Sequence, residues 1–463
     1  HISESRWTIR NWYCHLHWKN IFLNIILPCY GVIIPLLSYV FGFKLINFCK
    51  DYLTIFAINY FVTCLSINII YHRYYSHKSF KIDSIFFKFF LLLVATSGGV
   101  GNAKWWCLSH RAHHRFCDTE RDPSNVRKGF WYSHLGWIVL VHHPKIQKAM
   151  QELEYEDLNN DYLIKWQHEN YFRLFLVFGL ILPIIILKQF FLVHESILGI
   201  SVVFVSWKVF LVQQTFSNIN SLCHCKIRGI GSTQPFDNRK TPKNNFLFNL
   251  ITFGEGNHNF HHEFPSDYRN GTQWYDLDPT KWVLKIFSLF KIVSDLKKTS
   301  KTSIDQLLIQ QQQKIIDLKR SQLNWGIPID RLPKITPEQF KKILEGNGNS
   351  RALVVVSGII HDVTPFINDH PGGVVLIKSS IGKDATSAFN GAVYAHSNAA
   401  HNLLATMRIA VLKGVDSEQI VWKQQQMENK DIPLKNDSEG KKIVRSGEQV
   451  TLIKAHSTTA GAA

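Results

Sequence analysis

The sequence predicts a mainly α-helical membrane protein with a small α+β domain towards its C-terminus. Two observations carry this expectation: four apolar stretches long enough to cross a bilayer, and a fall in hydropathy after about residue 295 into a β-rich, ordinarily polar pattern. A third concerns the cap between the spans, where three clusters of histidines gather on one side. A chain of 463 residues has room for two or three domains.

The apolar stretches run over residues 21–46, 52–71, 171–187 and 196–216. They fall into two hairpins, whose links at Lys50-Asp51 and Lys188 to Glu195 are too short to hold a domain. Positive charge collects on the flanking segments: Arg6, Arg10 and Lys19 before the first span, then a run from Arg73 to Lys128. That bias places both termini and the long middle segment in the cytosol. A fifth stretch, Ile85 to Val100, is short, carries Lys88 and ends in Ser97-Gly98-Gly99, so it is expected to lie in the interface. Were it to span, the first histidine cluster would be cut off from the second. Buried core helices of a soluble protein are the alternative, which two paired hairpins of this length disfavour.

His110, His113 and His114 in HRAHH, and His258, His261 and His262 in HNFHH, share the spacing H-x-x-H-H. On a helix such residues share a face and aim three imidazoles at one point. His72 and His77 are five apart, which an unbroken α-helix splays; the helix is expected to end there, or the two rings to arrive from different directions. His224, in NSLCH beyond the fourth span, makes nine candidate ligands, too many for one ion and suited to two. An all-nitrogen pair without an obvious bridging carboxylate favours iron over magnesium or calcium. Zinc hydrolysis competes, but H-E-x-x-H with its glutamate base is absent. Paired iron fits oxygen activation against an unactivated C–H bond, with a lipid chain in an apolar tunnel and its head in water.

The eight cysteines form no C-x-x-C pair and read as reduced thiols on a cytosol-facing protein; Cys223 and Cys225, flanking His224, read as packing. A net charge of +17 comes with no basic run interleaved with aromatics in a recognisable module, which speaks against nucleic acid. Anionic lipid headgroups and a phosphorylated substrate account for it better.

HRYYSH, HRAHH, NSLCH and GEGNHNFHH, with DPSNVRKGFWYSHLGW, TQPFDNRKTP and HHEFPSDYRNG, resemble the membrane stearoyl-CoA (delta-9) desaturases, the fungal form especially, over roughly residues 10 to 300. The resemblance implies two non-haem irons. One would be held by His72, His77, His110, His114 and His261, the other by His113, His224, His258 and His262, with Asn220 reaching one iron through water. It also implies acyl-CoA contacts at Arg127, Lys128 and Trp106. The mammalian members carry Arg-Asp before the second box where this chain has Leu108-Ser109, so contacts there do not transfer. His134, His142 and His143 read as structural.

Ile304 to Leu323, rich in Gln, reads as an amphipathic helical connector. Beyond it a β-rich run, Ala352 to Ile360, leads into HDVTPFINDHPGG, and VYAHSNAAHNLL follows after GKDAT. Glycines after His370 permit close approach to a flat cofactor, and two histidines gripping a haem iron from opposite sides suit electron transfer. These residues resemble cytochrome b5, which implies His370 and His396 as axial ligands of haem b.

The expected organisation is a desaturase domain over 1–300, a helical linker over 301–330, a cytochrome b5-like domain over 331–414 and a disordered tail over 415–463. The expected function is acyl-CoA delta-9 desaturation in the endoplasmic reticulum membrane, using O2 and electrons from an NADH-cytochrome b5 reductase relayed through the haem. A diiron fatty-acid or sphingolipid hydroxylase, and a non-catalytic membrane haem electron donor, are the alternatives.

Overall fold

A computed structural model describes residues 2–42, 45, 50–153, 155–226, 231–346, 350–414, 442–446 and 449–453. The chain divides into two compact units, 1–316 and 317–463.

In the first unit the principal helices are α1 (Trp18–Val40), α2 (Tyr52–Ser76), α3 (Ile85–Thr96), α4 (Ala103–Phe116), α5 (Tyr162–Phe191), α6 (Ile197–Ser221), α7 (His258–Glu263), α8 (Pro279–Leu289) and, as far as Ile316, α9 (Lys301–Ser321). Of these, α1, α2, α5 and α6 are long and apolar enough to cross a membrane, and α3 is a shorter apolar helix. The helices overrun the apolar stretches. α2 continues to Ser76 and α5 begins at Tyr162, because a helix need not stop where its sequence turns polar. Those polar ends carry the site.

Small residues set the spacing between spans, as is usual where no water drives helices together. A side chain at Gly31 of α1 would collide with the Ser206 hydroxyl of α6. The contact is sealed by Ser206 Oγ donating to the Leu27 carbonyl (2.6 Å) and Trp207 Nε1 to that of Gly31 (2.8 Å). α3 starts at Ser84, whose side chain accepts from the Phe87 amide. It buries Leu91, Leu92 and Ala95 and leaves Ile85, Phe86 and Phe90 exposed. Strands β1 (Lys81–Ile82) and β2 (Val293–Ser294) pair antiparallel and tie the end of α2 to the segment after α8. α9 is more than a connector at its start: Ile304 packs with Phe236 and Phe260, the latter on the third histidine helix.

The second unit is built on a mixed sheet of β3 (Lys334–Ile335), β4 (Leu353–Val356), β5 (Ile359–Asp362) and β6 (Arg408–Leu412), in the order β3-β6-β5-β4. Only β3 and β6 run parallel. Both faces are apolar. Leu353, Val355 and Ile360 pack with Phe340 on one side; Val354 and Val356 pack with Ile377, Phe389 and Leu404 on the other. Among the described residues, four α-helices pack with this sheet: α10 (Pro337–Gly346), α11 (Val374–Ser379), α12 (Thr386–Phe389) and α13 (Asn398–Ala405). Most of the tail expected to be disordered lies outside the described residues; within it β7 (Lys442–Ser446) and β8 (Gln449–Ile453) pair antiparallel.

Candidate functional site

The last turns of α2 solve the five-residue spacing. Over Ile67–Ser76 the helix winds as a π-helix, and the His77 amide donates to the His72 carbonyl at 3.2 Å. In that wider wind residues i and i+5 share a face, and the two rings stand 4.9 Å apart. The helix ends at Ser76, just before His77, as expected, but it widens before it does so. α4, capped by Asn102 accepting from the Trp105 amide, supplies His110, His113 and His114. α7 supplies His258, His261 and His262. It is held by Asn259, whose Nδ2 donates to the Asp237 and Pro242 carbonyls at 2.7 and 3.1 Å. His224 stands in the turn just after α6.

The structure brings all nine predicted histidines together. Eight form two quartets, His72, His77, His110 and His261 in one and His113, His224, His258 and His262 in the other, with the ligand atoms of each within 4.8 Å of one another. His114 stands outside both by that measure. Its ring lies 4.6 Å from His77 and from His110 and stacks on His262 at 4.1 Å. The Nε2 atoms converge: 3.0 Å for His72 and His261, 2.8 Å for His77 and His110, 3.2 Å for His113 and His224, and 2.9 Å for His224 and His258. A metal–imidazole bond of about 2.1 Å places two adjacent ligand nitrogens about 3.0 Å apart, so this donor set fits two ions. Burial disfavours protonation of seven of the rings, which suits them to bind metal. It pushes His77, His110, His114, His224, His261 and His262 well below 6.5, and His258 to about 3. The His114 Nε2 is buried without a partner, as expected of a donor atom reserved for a ligand.

Around the rings lies a polar frame that the clusters alone did not reveal. Arg73 donates two bonds to Asp278 (2.9 and 2.8 Å) and one to Glu255 (2.9 Å). Glu255 also accepts from Asn270 at 2.8 Å and faces His72 Nδ1 at 3.6 Å. Burial opposes the Glu255 charge, but His72 and Arg73 hold its carboxyl well below the usual range. Asp122 meets His113 Nδ1 at 2.9 Å, and the Thr241 hydroxyl meets His224 Nδ1 at 2.8 Å. The only signal for Arg73, Glu255, Asn270, Asp122 and Thr241 was their place in motifs of the family resemblance, and Asp278 had none. His134 and His142 have structural partners, Ser221 with Gln214 and the Trp137 carbonyl respectively.

Gly99–Gly101, Trp105, Trp106, Phe216, His72, His110 and His113 line one cavity. Asn220 and Ser109 also line it, and the Ser109 hydroxyl is buried without a partner. Trp106 stacks on His110 at 5.0 Å. Arg127 and Lys128 do not line the cavity. They are exposed on the loop after Ser124, which does, and Lys128 lies over Tyr132 at 4.8 Å.

In the second unit His370 and His396 face one another with ring centroids 6.3 Å apart. An iron bound at about 2 Å by each of two imidazoles separates their centroids by roughly 6 Å, so the pair fits haem ligation. Each Nδ1 has a carbonyl acceptor, Gly373 at 3.2 Å and Phe389 at 2.9 Å, which leaves Nε2 for the metal. Gly373 is in the left-handed region (φ +93°) with nothing within 4 Å of an added side chain, so its conformation, rather than space, calls for glycine.

Comparison with known proteins agrees with this geometry. Residues 51–288 match the family described as fatty acid desaturase, and residues 336–413 match the cytochrome b5-like heme/steroid binding domain. The chain is 43% identical to acyl-CoA desaturase 1 of Saccharomyces cerevisiae over 416 residues, covering 89% of this chain and 77% of that one. It is 40% identical to a probable acyl-CoA desaturase of Schizosaccharomyces pombe over 458 residues, covering 98% and 88%. Human stearoyl-CoA desaturase is 30% identical over 288 residues, covering 62% and 76%. With the histidine boxes converging and a facing histidine pair in the second unit, the chain belongs to the fatty acid desaturase family and carries a cytochrome b5-like domain at its C-terminal side.

Proposed function

We propose that this protein is an acyl-CoA delta-9 desaturase, inserting a cis double bond into a saturated acyl chain. One iron would be held by His72, His77, His110, His114 and His261, the other by His113, His224, His258 and His262, with Asn220 acting through water. His370 and His396 would hold haem b. The observation that carries the reading is the two imidazole quartets, of which His72, His110 and His113 line a cavity walled by Trp105, Trp106, Trp137 and Phe216.

Bound iron would supply the O2 chemistry needed to remove hydrogen from an unactivated carbon. In balance, a saturated –CH2–CH2– unit, O2, two electrons and two protons yield –CH=CH– and two waters. The chain's own residues do the positioning. Phe216, Trp105, Trp106 and Trp137 wall the cavity and present acyl carbons to the histidines while keeping water from them. Trp106, stacked on His110, links the wall to the site. Arg127 and Lys128, on the exposed loop beyond Ser124, suit the phosphates of a CoA head that stays in water. Tethering the haem domain raises the donor's effective concentration, and its two closed imidazole positions suit electron transfer rather than oxygen binding. An NADH-cytochrome b5 reductase is the proposed electron source. The proposed setting is the endoplasmic reticulum membrane, with both termini and the site cytosolic, from the charge bias of the flanks.

The test is metal and product analysis of the purified full-length protein. Two non-haem irons per haem and a product lacking two hydrogens are expected with stearoyl-CoA. His261→Ala should abolish product while the haem spectrum persists. A product that instead gains one oxygen would make the protein a hydroxylase, and unchanged lipid turnover in His261→Ala would remove the site from the chemistry.

A further inference from the structure

Two histidines of one quartet are held from behind by polar groups that meet at one short loop. After α4 the chain turns through Asp118, which sits in the left-handed region (φ +66°), to Asp122 and Ser124. Asp122 Oδ1 takes the Nδ1–H of His113 at 2.9 Å and the Ser124 amide at 3.0 Å; its Oδ2 takes the Asp118 amide at 3.0 Å. Asp118 in turn accepts twice from Thr241, from the amide at 2.7 Å and the hydroxyl at 2.6 Å. Because the Thr241 proton is committed to Asp118, the hydroxyl oxygen can only accept from His224, whose Nδ1 lies 2.8 Å away.

Both rings therefore carry their proton on Nδ1 and turn a lone pair on Nε2 towards each other, 3.2 Å apart. Two acceptors facing at that distance repel unless a cation lies between them. His258 and His262, which complete the quartet, have Nδ1 atoms without partners. The other quartet lacks an equivalent brace on His72: its nearest carboxylate, Glu255, stands 3.6 Å from His72 Nδ1, beyond hydrogen-bond length, and is engaged by Arg73 and Asn270.

We propose that Thr241 with Asp118, and Asp122, are positioning residues for one metal ion only, the one taken by His113, His224, His258 and His262. They fix the tautomer and aim of two rings that reach the ion from different segments. The inference rests on the diiron reading above and adds to it an asymmetry between the two ions. Second-layer partners of this kind typically contribute about 10- to 100-fold in metal affinity.

Ferrous iron titrated into chelator-stripped, full-length protein, with iron counted per haem, tests this. Wild type should take up two irons. Thr241→Val, which keeps the shape but removes the hydroxyl, should weaken one uptake step by about 10- to 100-fold and leave the other unchanged. The unchanged step also reports that the fold is intact. Thr241→Ser should restore wild-type uptake. Two wild-type affinities in Thr241→Val, an equal fall at both steps, or a Ser variant as weak as Val would each overturn the proposal while leaving the diiron reading standing. Wild type that binds no iron would overturn both. Should Thr241→Val not accumulate, Asp122→Asn reads the same selective loss through His113, and its keeping both irons at wild-type affinity overturns the assignment.

Discussion

Arg73 offers the sharpest test of how the site is held. Its guanidinium makes three bonds to Asp278 and Glu255, and the side chains of both carboxylates are 0% exposed. Arg73→Met leaves two buried negative charges facing an apolar side chain. Each keeps other donors: Glu255 has Asn270, and Asp278 has the backbone amides of Asn270 and Lys281. Breaking a buried pair by removing one partner costs about 3–5 kcal/mol. Unfolding entropy of about 2.1 cal/mol/K per residue, over the 316 residues of the first unit, comes to about 0.7 kcal/mol/K. The expected shift is a fall of about 5–8 °C in the midpoint for release of non-haem iron. The assay is a thermal ramp on detergent-solubilised full-length protein, with haem absorbance as the internal control. Adding Glu255→Gln and Asp278→Asn removes the stranded charges and should recover part of the loss. A shift below about 1 °C, or a triple variant no better than Arg73→Met, would refute the reasoning.

Three further outcomes follow from the geometry. Ser217→Phe places a ring in the cavity and should move products towards shorter acyl chains, read by gas chromatography; an unchanged profile would take Ser217 out of the chain's path. His370→Ala should abolish the haem spectrum and reductase-supported turnover while non-haem iron stays, so retained turnover would separate the haem from the electron route. Burial, with Arg408 close by, pushes His361 of β5 down to about 4. Its folded value lies below the unfolded 6.5, so the stability it contributes is complete above pH 6.5 and is lost as pH falls towards 4. At about 1.4 kcal/mol per unit the total is about 3 kcal/mol. Haem-domain melting in the full-length chain should drop over that window, and His361→Gln should flatten the drop.

The fold class was legible because it rests on averages over many residues. Four long, predominantly apolar stretches survive any local error, as do two matched H-x-x-H-H triplets. Boundaries were less legible: hydropathy marks where a helix meets polar solvent, whereas α2 and α5 continue through IYHRYYS and YLIKWQHEN because their backbone bonds continue. The histidine set was readable from spacing and family likeness, but the frame behind it was not. Glu255, Asp122 and Thr241 look like any polar residue until distant segments are brought together; Thr241 lies 123 positions from the Asp118 it bonds. The role of Ile304 in packing against Phe260 was hidden in a stretch whose Gln content resembles a spacer.

The widened turn at the end of α2 fixes a rule about insertions. Removing one residue between His72 and His77 would return that turn to 3.6 residues per turn and keep both rings and everything upstream on their present faces, whereas a deletion in the α-helical part before Ile67 would rotate all that precedes it by about 100° relative to the cap. Tyr60 would then lose its inward position against the core. The length of that segment is thus set by two surfaces at once, and tolerance to deletion should be lower there than the variety of its side chains suggests.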